Sequence, residues 1–255
     1  MKISKSATKA HEKAMAIVNS GRKLTVEDRF FIAENYHPMA EHNVGVNGIF
    51  FTPMSIAREM QIELLNKAKK RVLDLCAGIG RIALQTWYNH ITCGGDEGID
   101  IVCIENNPEF VRVGQRILPE ASWVKADAFD EKTYKNLGWF DEVISNPPYG
   151  IKANNSWLHK HPSQYMAAEI AMKIADHAVF ILPQSDCPFR MSGVKFFQYR
   201  TVGKYERFKQ DTDIIFEHNC GIDTSIFEND WQGTKILTEI VLVSKKPAVE
   251  IDEAA

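Results

Sequence analysis

The sequence lacks the features that would assign it to a membrane, secreted or zinc-binding class. No run of apolar residues is long enough to cross a bilayer, and residues 1–5 are not followed by the apolar stretch of a signal peptide. The 5 cysteines are scattered and form no Cys-x-x-Cys pair, which argues against a disulfide framework or a zinc ribbon. We therefore expect a protein that does not enter the membrane and works in the reducing cytoplasm.

The sequence also has no excess of positively charged residues. The formal net charge is −3, so a nucleic-acid role would need a local basic face. With 255 residues, 45% of them hydrophobic and 25% charged, the chain fits one large α/β domain with or without a small appendage. A polar helical pattern over residues 1–46, with Thr25 as a helix cap, predicts an N-terminal helical extension. The main domain is expected over residues 47–255.

Short β-rich segments alternate with helical ones from about residue 70 onward. The predicted strands and helices are strands 71–75, 101–104, 122–125, 140–145 and 177–182, and helices 81–88 and 167–175. This alternation predicts a mostly parallel sheet with helices on both faces. Two closing segments, 213–216 and 236–243, have no helix between them and predict an antiparallel pair at the edge of the sheet.

A glycine-containing turn, Asp74–Gly80, follows the first predicted strand. Gly78 and Gly80 would let the backbone approach a ligand closely, as in dinucleotide-binding turns. A strand–helix turn in any α/β protein can carry such glycines, so an ordinary turn stays open as an alternative. Asp74 favours a ligand, because its carboxylate suits a cationic amino-acid group better than a diphosphate.

Two more acids end successive predicted strands. Glu105 follows the second strand and could accept hydrogen bonds from both hydroxyls of a ribose. Asp127 follows the third strand and, with Ala128 and Phe129, is placed to meet an adenine. Single acids of this kind are more often turn or helix-cap residues. As an ordered set at the carboxyl ends of strands, they indicate the ligand-binding edge of an open α/β sheet.

The fourth predicted strand runs into Asn146-Pro147-Pro148-Tyr149. Consecutive prolines cannot continue a strand ladder, so the segment could be an ordinary strand-ending turn. That alternative does not account for the amide and the aromatic ring that flank the prolines. The Asn146 side-chain oxygen and the Pro147 carbonyl could hold both protons of an amine whose lone pair is delocalised, with Tyr149 stacked on the group that carries it. Placement beside an electrophilic methyl donor would then allow transfer.

Together these residues resemble a known family. Ile49–Pro53, Asp74–Gly80, Glu105, Asp127 and Asn146–Tyr149 are similar to the motifs of S-adenosylmethionine-dependent amino-methyltransferases. Their order most resembles the adenine-N6 DNA methyltransferases in which the cofactor motif precedes the catalytic motif. The resemblance covers roughly residues 45–185. It implies an α/β, Rossmann-like class I methyltransferase fold, with a mostly parallel seven-stranded sheet and an antiparallel edge strand.

The resemblance also implies roles for individual residues. The expected catalytic residues are Asn146, Pro147, Pro148 and Tyr149. The expected cofactor-binding residues are Phe51, Thr52, Pro53, Asp74, Ala77, Gly78, Gly80, Glu105, Asn106, Asp127, Ala128 and Asn146. Within this set, Phe51–Pro53 would line the methionine end of S-adenosylmethionine, Glu105 would hold the ribose and Asp127 the adenine.

The expected reaction is methyl transfer to an exocyclic amine, with adenine N6 in DNA as the leading substrate. Protein-glutamine and RNA amine methyltransferases share the Asn-Pro-Pro-Tyr motif and stay open as alternatives, although the Phe51–Pro53 element favours nucleic acid. Only about a hundred residues follow Tyr149, too few for a large target-recognition region beside the rest of the sheet. A partner protein or a homodimer could supply recognition, and a cofactor-binding subunit that depends on a partner is a further alternative.

A small insertion near residues 188–212 combines basic and aromatic side chains. This composition suits a nucleic-acid groove, although a solvated helix with a buried aromatic face explains it equally well. The residues expected to contact DNA are Lys195, Arg200, Lys204 and Arg207. His159 and His161 have no third ligand nearby, so no metal site is expected. Cys76 is not in a Pro-Cys setting after the fourth strand, which argues against a covalent cytosine-C5 mechanism.

Overall fold

A seven-stranded β-sheet forms the centre of the protein and confirms the predicted fold class. The computed structural model describes residues 3–37, 50–65, 67, 70–93, 98–151 and 156–245. The strands within these residues are β1 (Lys70–Leu75), β2 (Ile99–Glu105), β3 (Ser122–Lys125), β4 (Phe140–Ser145), β5 (Ala175–Pro183), β6 (Phe189–Arg190), β7 (Gln198–Tyr199), β8 (Ile214–His218) and β9 (Thr238–Lys245). The α-helices are α1 (Lys5–Val18), α2 (Val26–Asn35), α3 (Met54–Met60), α4 (Arg81–Thr92), α5 (Pro108–Ile117), α6 (Ser163–Ile174) and α7 (Gly203–Thr212).

The sheet has the strand order β3-β2-β1-β4-β5-β9-β8. β1 pairs in parallel with β2 and β4, and β4 pairs in parallel with β5. β9 runs antiparallel to both β5 and β8, so the two closing segments form the predicted antiparallel pair, with β8 as the outer strand. The expectation of no helix between them was wrong, because a 3-10 helix, Thr224–Asp230, lies in the connection. The order reverses between β1 and β4. Open α/β sheets bind ligands at such a reversal, outside the carboxyl ends of the strands.

Helices cover both faces of the sheet, as the alternating pattern predicts. On one face, Leu73 of β1 shares a buried cluster with Met166 of α6. On the other face, Val72 of the same strand shares a cluster with Ile82 of α4. Residues 178–182 of β5 are fully buried because both faces of this strand are covered, which explains their continuous apolar sequence.

The N-terminal helices α1 and α2 pack against the main domain. The Thr25 hydroxyl accepts a hydrogen bond from the Asp28 N–H, and the Asp28 carboxylate accepts one from the Thr25 N–H, so Thr25 is the cap of α2. Ile32 of α2 lies in the same buried cluster as Phe110 of α5. The predicted boundary between residues 46 and 47 lies outside the described residues, as does Ile49.

The segment near residues 188–212 forms a short antiparallel hairpin, β6 with β7, followed by α7. Tyr205 and Phe208 of α7 are buried and pack on Phe216 of β8. For α7 the structure therefore supports the alternative of a helix with a buried aromatic face. None of the helices described is long and apolar enough to cross a membrane.

Candidate active site

A cleft of about 430 Å³ opens at the carboxyl ends of the parallel strands, where the strand order reverses. It brings together residues from the ends of β1, β2 and β4 and from the loop after β3. The sequence-predicted residues that line it are Phe51, Gly78, Glu105, Asn106, Asp127, Ala128, Asn146, Pro147, Pro148 and Tyr149. This central cleft therefore joins the expected cofactor residues to the expected catalytic residues.

A smaller recess of about 30 Å³ adjoins the central cleft. The two share Phe51, Gly78 and Asn146 among other lining residues. The recess also reaches the remaining predicted residues Thr52, Asp74 and Ala77. We refer to it below as the methionine recess, because the resemblance predicts the methionine end of the cofactor at these residues.

Two residues of the predicted cofactor set line neither cavity. Gly80 lies just before α4 with a φ of +82°, and a Cβ built there would come 2.9 Å from the Trp123 ring. Its lack of a side chain therefore serves the turn and the packing of Trp123. Pro53 precedes α3 as its N-cap residue. Both residues shape the backbone beside the cavities.

The turn after β1 depends on Gly78 at the cavity wall. Its φ is +59°, and a Cβ built there would lie 2.8 Å from the Phe51 ring. Glycine is therefore required both by the backbone conformation and by the close approach of Phe51. Cys76 in the same turn has a φ of 66°, which is uncommon for a residue with a side chain. Strain of this kind is concentrated at functional sites.

Glu105 holds the backbone on both sides of the central cleft. Its Oε2 accepts a hydrogen bond from the Gly78 N–H at 2.8 Å, and its Oε1 accepts one from the Asn107 N–H at 2.7 Å. Burial raises the pKa of the carboxyl, although these N–H donors oppose the shift. Each carboxylate oxygen can accept more than one hydrogen bond, so both remain able to bind hydroxyl groups of a ligand.

Asp74 is almost completely buried beneath the methionine recess, at 1% exposure. Its Oδ2 accepts a hydrogen bond from the Ala83 N–H at 3.2 Å. Burial raises the pKa of Asp74 to about 7, and the nearby charge of Glu105 adds to the shift. A cationic ligand group would favour the ionised form and lower this pKa.

The loop after β3 places Asp127 at the rim of the central cleft. Asp127 is exposed, and its Oδ1 accepts a hydrogen bond from the Phe129 N–H at 2.9 Å. The Tyr134 hydroxyl donates to the carbonyl of the buried Ala128 at 2.5 Å. These contacts hold Phe129, which also lines the cleft, against the loop.

The orientation of the Asn146 amide is set by two neighbours. Its Nδ2 donates to the Phe50 carbonyl at 2.9 Å, so Oδ1 is the acceptor end that remains. The Tyr149 hydroxyl donates to this Oδ1 and lies 3.1 Å from the Ile181 carbonyl. Burial raises the pKa of Tyr149, so the hydroxyl keeps its proton and stays a donor. From the sequence we expected only the ring of Tyr149 to matter; the structure gives its hydroxyl a contact as well.

The carbonyl groups of the two prolines differ in their hydrogen-bond donors. The Ser163 hydroxyl donates to the Pro148 carbonyl at 2.6 Å. For the Pro147 carbonyl, the described residues provide no hydrogen-bond donor. Gly150, just after the motif, donates its N–H to Gln164 Oε1 at 2.9 Å, which fixes the end of the turn on α6. Within the Asn146–Tyr149 motif, the Asn146 Oδ1 and the Pro147 carbonyl are therefore the acceptors available to an amine in the cleft.

Several lining residues were missed from the sequence. Phe110 comes from α5, a helix that was not predicted, although Asn107 and Pro108 provide an N-cap and a first-turn proline. Phe50 and Ile104 line the cleft with no chemical signal of their own. Arg81 lines the methionine recess, and its position directly after the glycine turn was the available signal.

The four residues expected to contact DNA differ in their surroundings. Lys195 is exposed between β6 and β7, with its Nζ 5.3 Å from the centre of the Phe196 ring. Arg200 instead donates through Nε to the Cys187 carbonyl at 2.9 Å, which gives it a structural contact. Lys204 and Arg207 are exposed on α7. A second cleft of about 670 Å³, between the hairpin and β8, is lined by Arg200 but by none of the other three.

The two histidines after the motif each have a carboxylate partner. His159 Nδ1 lies 3.1 Å from Glu169, and His161 Nε2 lies 3.1 Å from Asp211. Among the residues that the structure describes, no three His, Cys, Asp or Glu side chains come together as a metal site would require.

Residues 34–184, more than half of the chain, match the family model described as N-6 DNA methylase. No curated protein matches the chain. The matched range includes the methionine recess, the central cleft and the Asn146–Tyr149 motif.

Solved structures share the fold at low sequence identity. A Listeria monocytogenes protein described as a class I S-adenosylmethionine-dependent methyltransferase is 12% identical, with a TM-score of 0.58 over 95% of this chain and 81% of that one. A type I restriction-modification methyltransferase subunit from Streptococcus thermophilus is 15% identical, with a TM-score of 0.60 over 88% of this chain and 49% of the subunit. A protein from Vibrio vulnificus YJ016 described as a type I modification subunit is 14% identical, with a TM-score of 0.58 over 88% of this chain and 51% of the subunit. The chain thus spans about half the length of these two subunits, and the likeness concerns the fold.

Proposed function

This chain belongs to the N-6 DNA methylase family, and we propose that it transfers a methyl group from S-adenosylmethionine to the N6 amine of adenine in DNA. The family match confirms the predicted relationship to adenine-N6 DNA methyltransferases. The observation that carries the proposal for the site is the central cleft, which Asn146 shares with Glu105 and Asp127. One cavity thus offers contacts for a nucleoside and acceptors for an amine.

The residues around the two cavities fit S-adenosylmethionine. Asp74, buried without a cationic partner among the described residues, suits the ammonium group, and Glu105 has lone pairs left for the ribose hydroxyls. Asp127 at the rim, with Ala128 and Phe129, suits the adenine. When bound, the cofactor supplies an electrophilic methyl group. We propose that Thr52 and Ala77 contact its methionine end and that Asn106 lies beside the ribose, while Pro53 and Gly80 act through the backbone.

The Asn146 Oδ1 and the Pro147 carbonyl are proposed to bind the two N–H groups of the target amine. Because Oδ1 has two lone pairs, it can accept from the Tyr149 hydroxyl and from the amine together. Hydrogen bonds at both N–H groups would direct the nitrogen lone pair towards the methyl donor. Both acceptors are neutral, so they orient the amine but do not retain a proton, and water takes the proton that the nitrogen loses.

The position of the site at the end of the sheet bears on how DNA would bind. A base inside a duplex cannot reach a cleft formed by strand ends, so the target adenine has to leave the base stack. The exposed residues Lys195, Lys204 and Arg207 are proposed to contact the phosphate backbone. Arg200 is proposed to hold this region in place through the Cys187 carbonyl.

Sequence recognition is proposed to need a second protein or a second copy of this chain. The type I subunits that share the fold are about twice as long as the region they match, and their descriptions place them in multi-subunit systems. We propose that residues 1–46 form a helical extension of one catalytic domain over residues 47–255. We propose that the reaction takes place in the cytoplasm.

Methyl incorporation tests the proposal directly. Wild-type protein and Asn146→Ala would be incubated with labelled S-adenosylmethionine and with DNA, RNA or release-factor protein in separate reactions, followed by nucleoside mass spectrometry. N6-methyladenine in DNA with wild type alone is the expected result. Label in RNA or in protein glutamine would favour those alternative substrates. Cofactor binding with no transfer to any substrate would indicate a cofactor-binding subunit.

A further inference from the structure

Arg81, the first residue of α4, is a buried guanidinium at the wall of the methionine recess. It is 4% exposed and lies 5.2 Å from the centre of the Phe51 ring. Its Nη1 donates to the Thr52 carbonyl at 3.2 Å. Its Nη2 donates to the Tyr36 carbonyl and to Gln232 Oε1, each at 3.0 Å.

These partners do not neutralise the positive charge of Arg81, and the carboxylate of Glu34 acts on it without forming an ion pair. All three acceptors are neutral, and no carboxylate of the described residues forms an ion pair with it. Burial accordingly lowers the pKa of Arg81 to about 9. A buried cation without an anionic partner is costly to the folded protein, so its presence beside a cavity calls for a ligand explanation.

The hydrogen-bonding capacity of Arg81 is also incomplete. A guanidinium carries five N–H donors, and the contacts above use three of them. The Nε atom is buried and has no hydrogen-bond partner among the described residues. The unused donors belong to a side chain that lines the recess.

The methionine recess therefore has one buried cation and one buried acid in its wall. Asp74 lines it as well, and the structure shows no ion pair between these two described side chains. The recess holds about 30 Å³, room for roughly two water-sized groups, and it adjoins the larger central cleft. A cation and an acid that do not pair with each other complement an amino-acid zwitterion.

We propose that Arg81 binds the carboxylate of the cofactor's methionine moiety, opposite the ammonium group that Asp74 receives. This inference rests on the proposed use of S-adenosylmethionine. It assigns to Arg81 a binding role in addition to its contacts with Thr52, Tyr36 and Gln232. A purely structural role would explain those contacts but would not depend on the carboxylate of a ligand.

Two ligands that differ only in the carboxylate separate these roles. S-adenosylhomocysteine carries it, and S-adenosyl-3-thiopropylamine, its decarboxylated analogue, retains the amine and the nucleoside. Calorimetry with both ligands would be run on wild type, Arg81→Met and Arg81→Lys, with thermal unfolding of each variant as a check on folding. The matched control is Arg29→Met, which removes a buried guanidinium that already pairs with Glu120 and lines neither cavity.

We expect wild type and Arg29→Met to bind S-adenosylhomocysteine about tenfold to a hundredfold more tightly than the analogue. In Arg81→Met this preference should disappear, and in Arg81→Lys part of it should remain. Equal affinity of wild type for the two ligands would overturn the inference without any variant, and so would an unchanged preference in Arg81→Met. If wild type bound neither ligand, the proposed cofactor would be wrong and this inference would fail with it.

Discussion

The two halves of the sheet differ in the burial and the partners of their charged side chains. Around β1, β2 and β4, Asp74 and Arg81 are buried beside a cavity and form no ion pair with any described residue. Around β5, β9 and β8, the buried carboxylate of Glu239 accepts hydrogen bonds from the N–H and hydroxyl of Ser192 and lines none of the clefts described above, while Lys195 and Lys204 of the insertion are exposed. Burial without compensation costs folding free energy and is retained where a ligand supplies the missing partner. The first half has the character of a preformed binding site, and the second that of an adaptable surface.

The largest effect expected in the first half is on the reaction rate. Asn146→Ala should lower methyl transfer by about a hundredfold or more, because the amine loses an acceptor that acts as the nitrogen gains positive character. Affinity for S-adenosylhomocysteine should fall far less than the rate does, because Asn146 is one of many residues that line the two cavities. Single-turnover transfer to DNA is the measurement, and Asn146→Asp, which keeps an acceptor, should retain partial activity. Near-normal transfer by Asn146→Ala would make the motif a structural turn.

The next effect concerns Asp74 and links cofactor binding to stability. Asp74→Asn should weaken S-adenosylhomocysteine binding by about tenfold to a hundredfold, since the ammonium group loses a charged acceptor. The wild-type affinity should rise as pH increases towards about 7, where Asp74 ionises, and the variant should lack this rise. Calorimetry between pH 5 and pH 8 in roughly one-unit steps measures both. A pH-independent wild-type affinity would rule out Asp74 as the ammonium ligand.

The same variant should be more stable without ligand. A carboxyl whose pKa is raised on folding stabilises the native state below its ordinary pKa, and that contribution is lost as pH rises through about 7. At pH 8 the neutral amide avoids the cost of a buried carboxylate, so Asp74→Asn should unfold at a higher temperature than wild type. At pH 5 or so the difference should shrink. A lower unfolding temperature at both pH values would contradict this account.

A smaller effect is expected from the hydroxyl of Tyr149. Tyr149→Phe should lower single-turnover transfer by about threefold to tenfold, because the variant lacks one hydrogen bond that orients Asn146. Tyr149→Ala should be much more severe, since the ring that would stack on the base is removed as well. Cofactor affinity serves as the control and should be the same in both variants. A Tyr149→Phe enzyme with full activity would show that the ring alone matters.

The smallest effect is expected in the second half. Replacing Lys195, Lys204 and Arg207 with Ala should weaken DNA binding several-fold and flatten its salt dependence, by up to about 0.9 in slope for each phosphate that the variant no longer binds. Lys5→Ala/Lys9→Ala on α1 removes exposed charge elsewhere and is the control. Binding would be followed by fluorescence anisotropy over a range of salt concentrations. An unchanged slope would exclude this surface as the one that binds DNA.

The sequence predicted the first half well because a parallel sheet places strand ends at one edge. Glu105 and Asp127 follow successive strands, so their meeting in the central cleft needed only the strand pattern. For the insertion near residues 188–212, no comparable rule predicts which side chains are buried. Its aromatic residues divide between the buried Phe208 and the exposed Tyr199, and composition alone does not show which side of a helix or hairpin the core will cover.

The sequence also did not allow us to predict contacts between residues that lie far apart in the chain. The bond between Phe50 and Asn146 and the contact of Arg81 with Gln232 join segments whose proximity follows from the completed fold. The Tyr149 hydroxyl was missed for a different reason. Stacking explained the ring in full, so nothing in the motif indicated a use for the oxygen.

The segment at Phe50 and Phe51 gives the two ligand sites a shared element. The Phe50 carbonyl orients the amide of Asn146, and the next side chain packs closely over Gly78 in the cofactor turn. A cofactor that shifts Phe51 would change the geometry offered to the amine. The two binding equilibria are then thermodynamically linked: the factor by which cofactor alters affinity for the target base equals the factor by which the base alters affinity for cofactor.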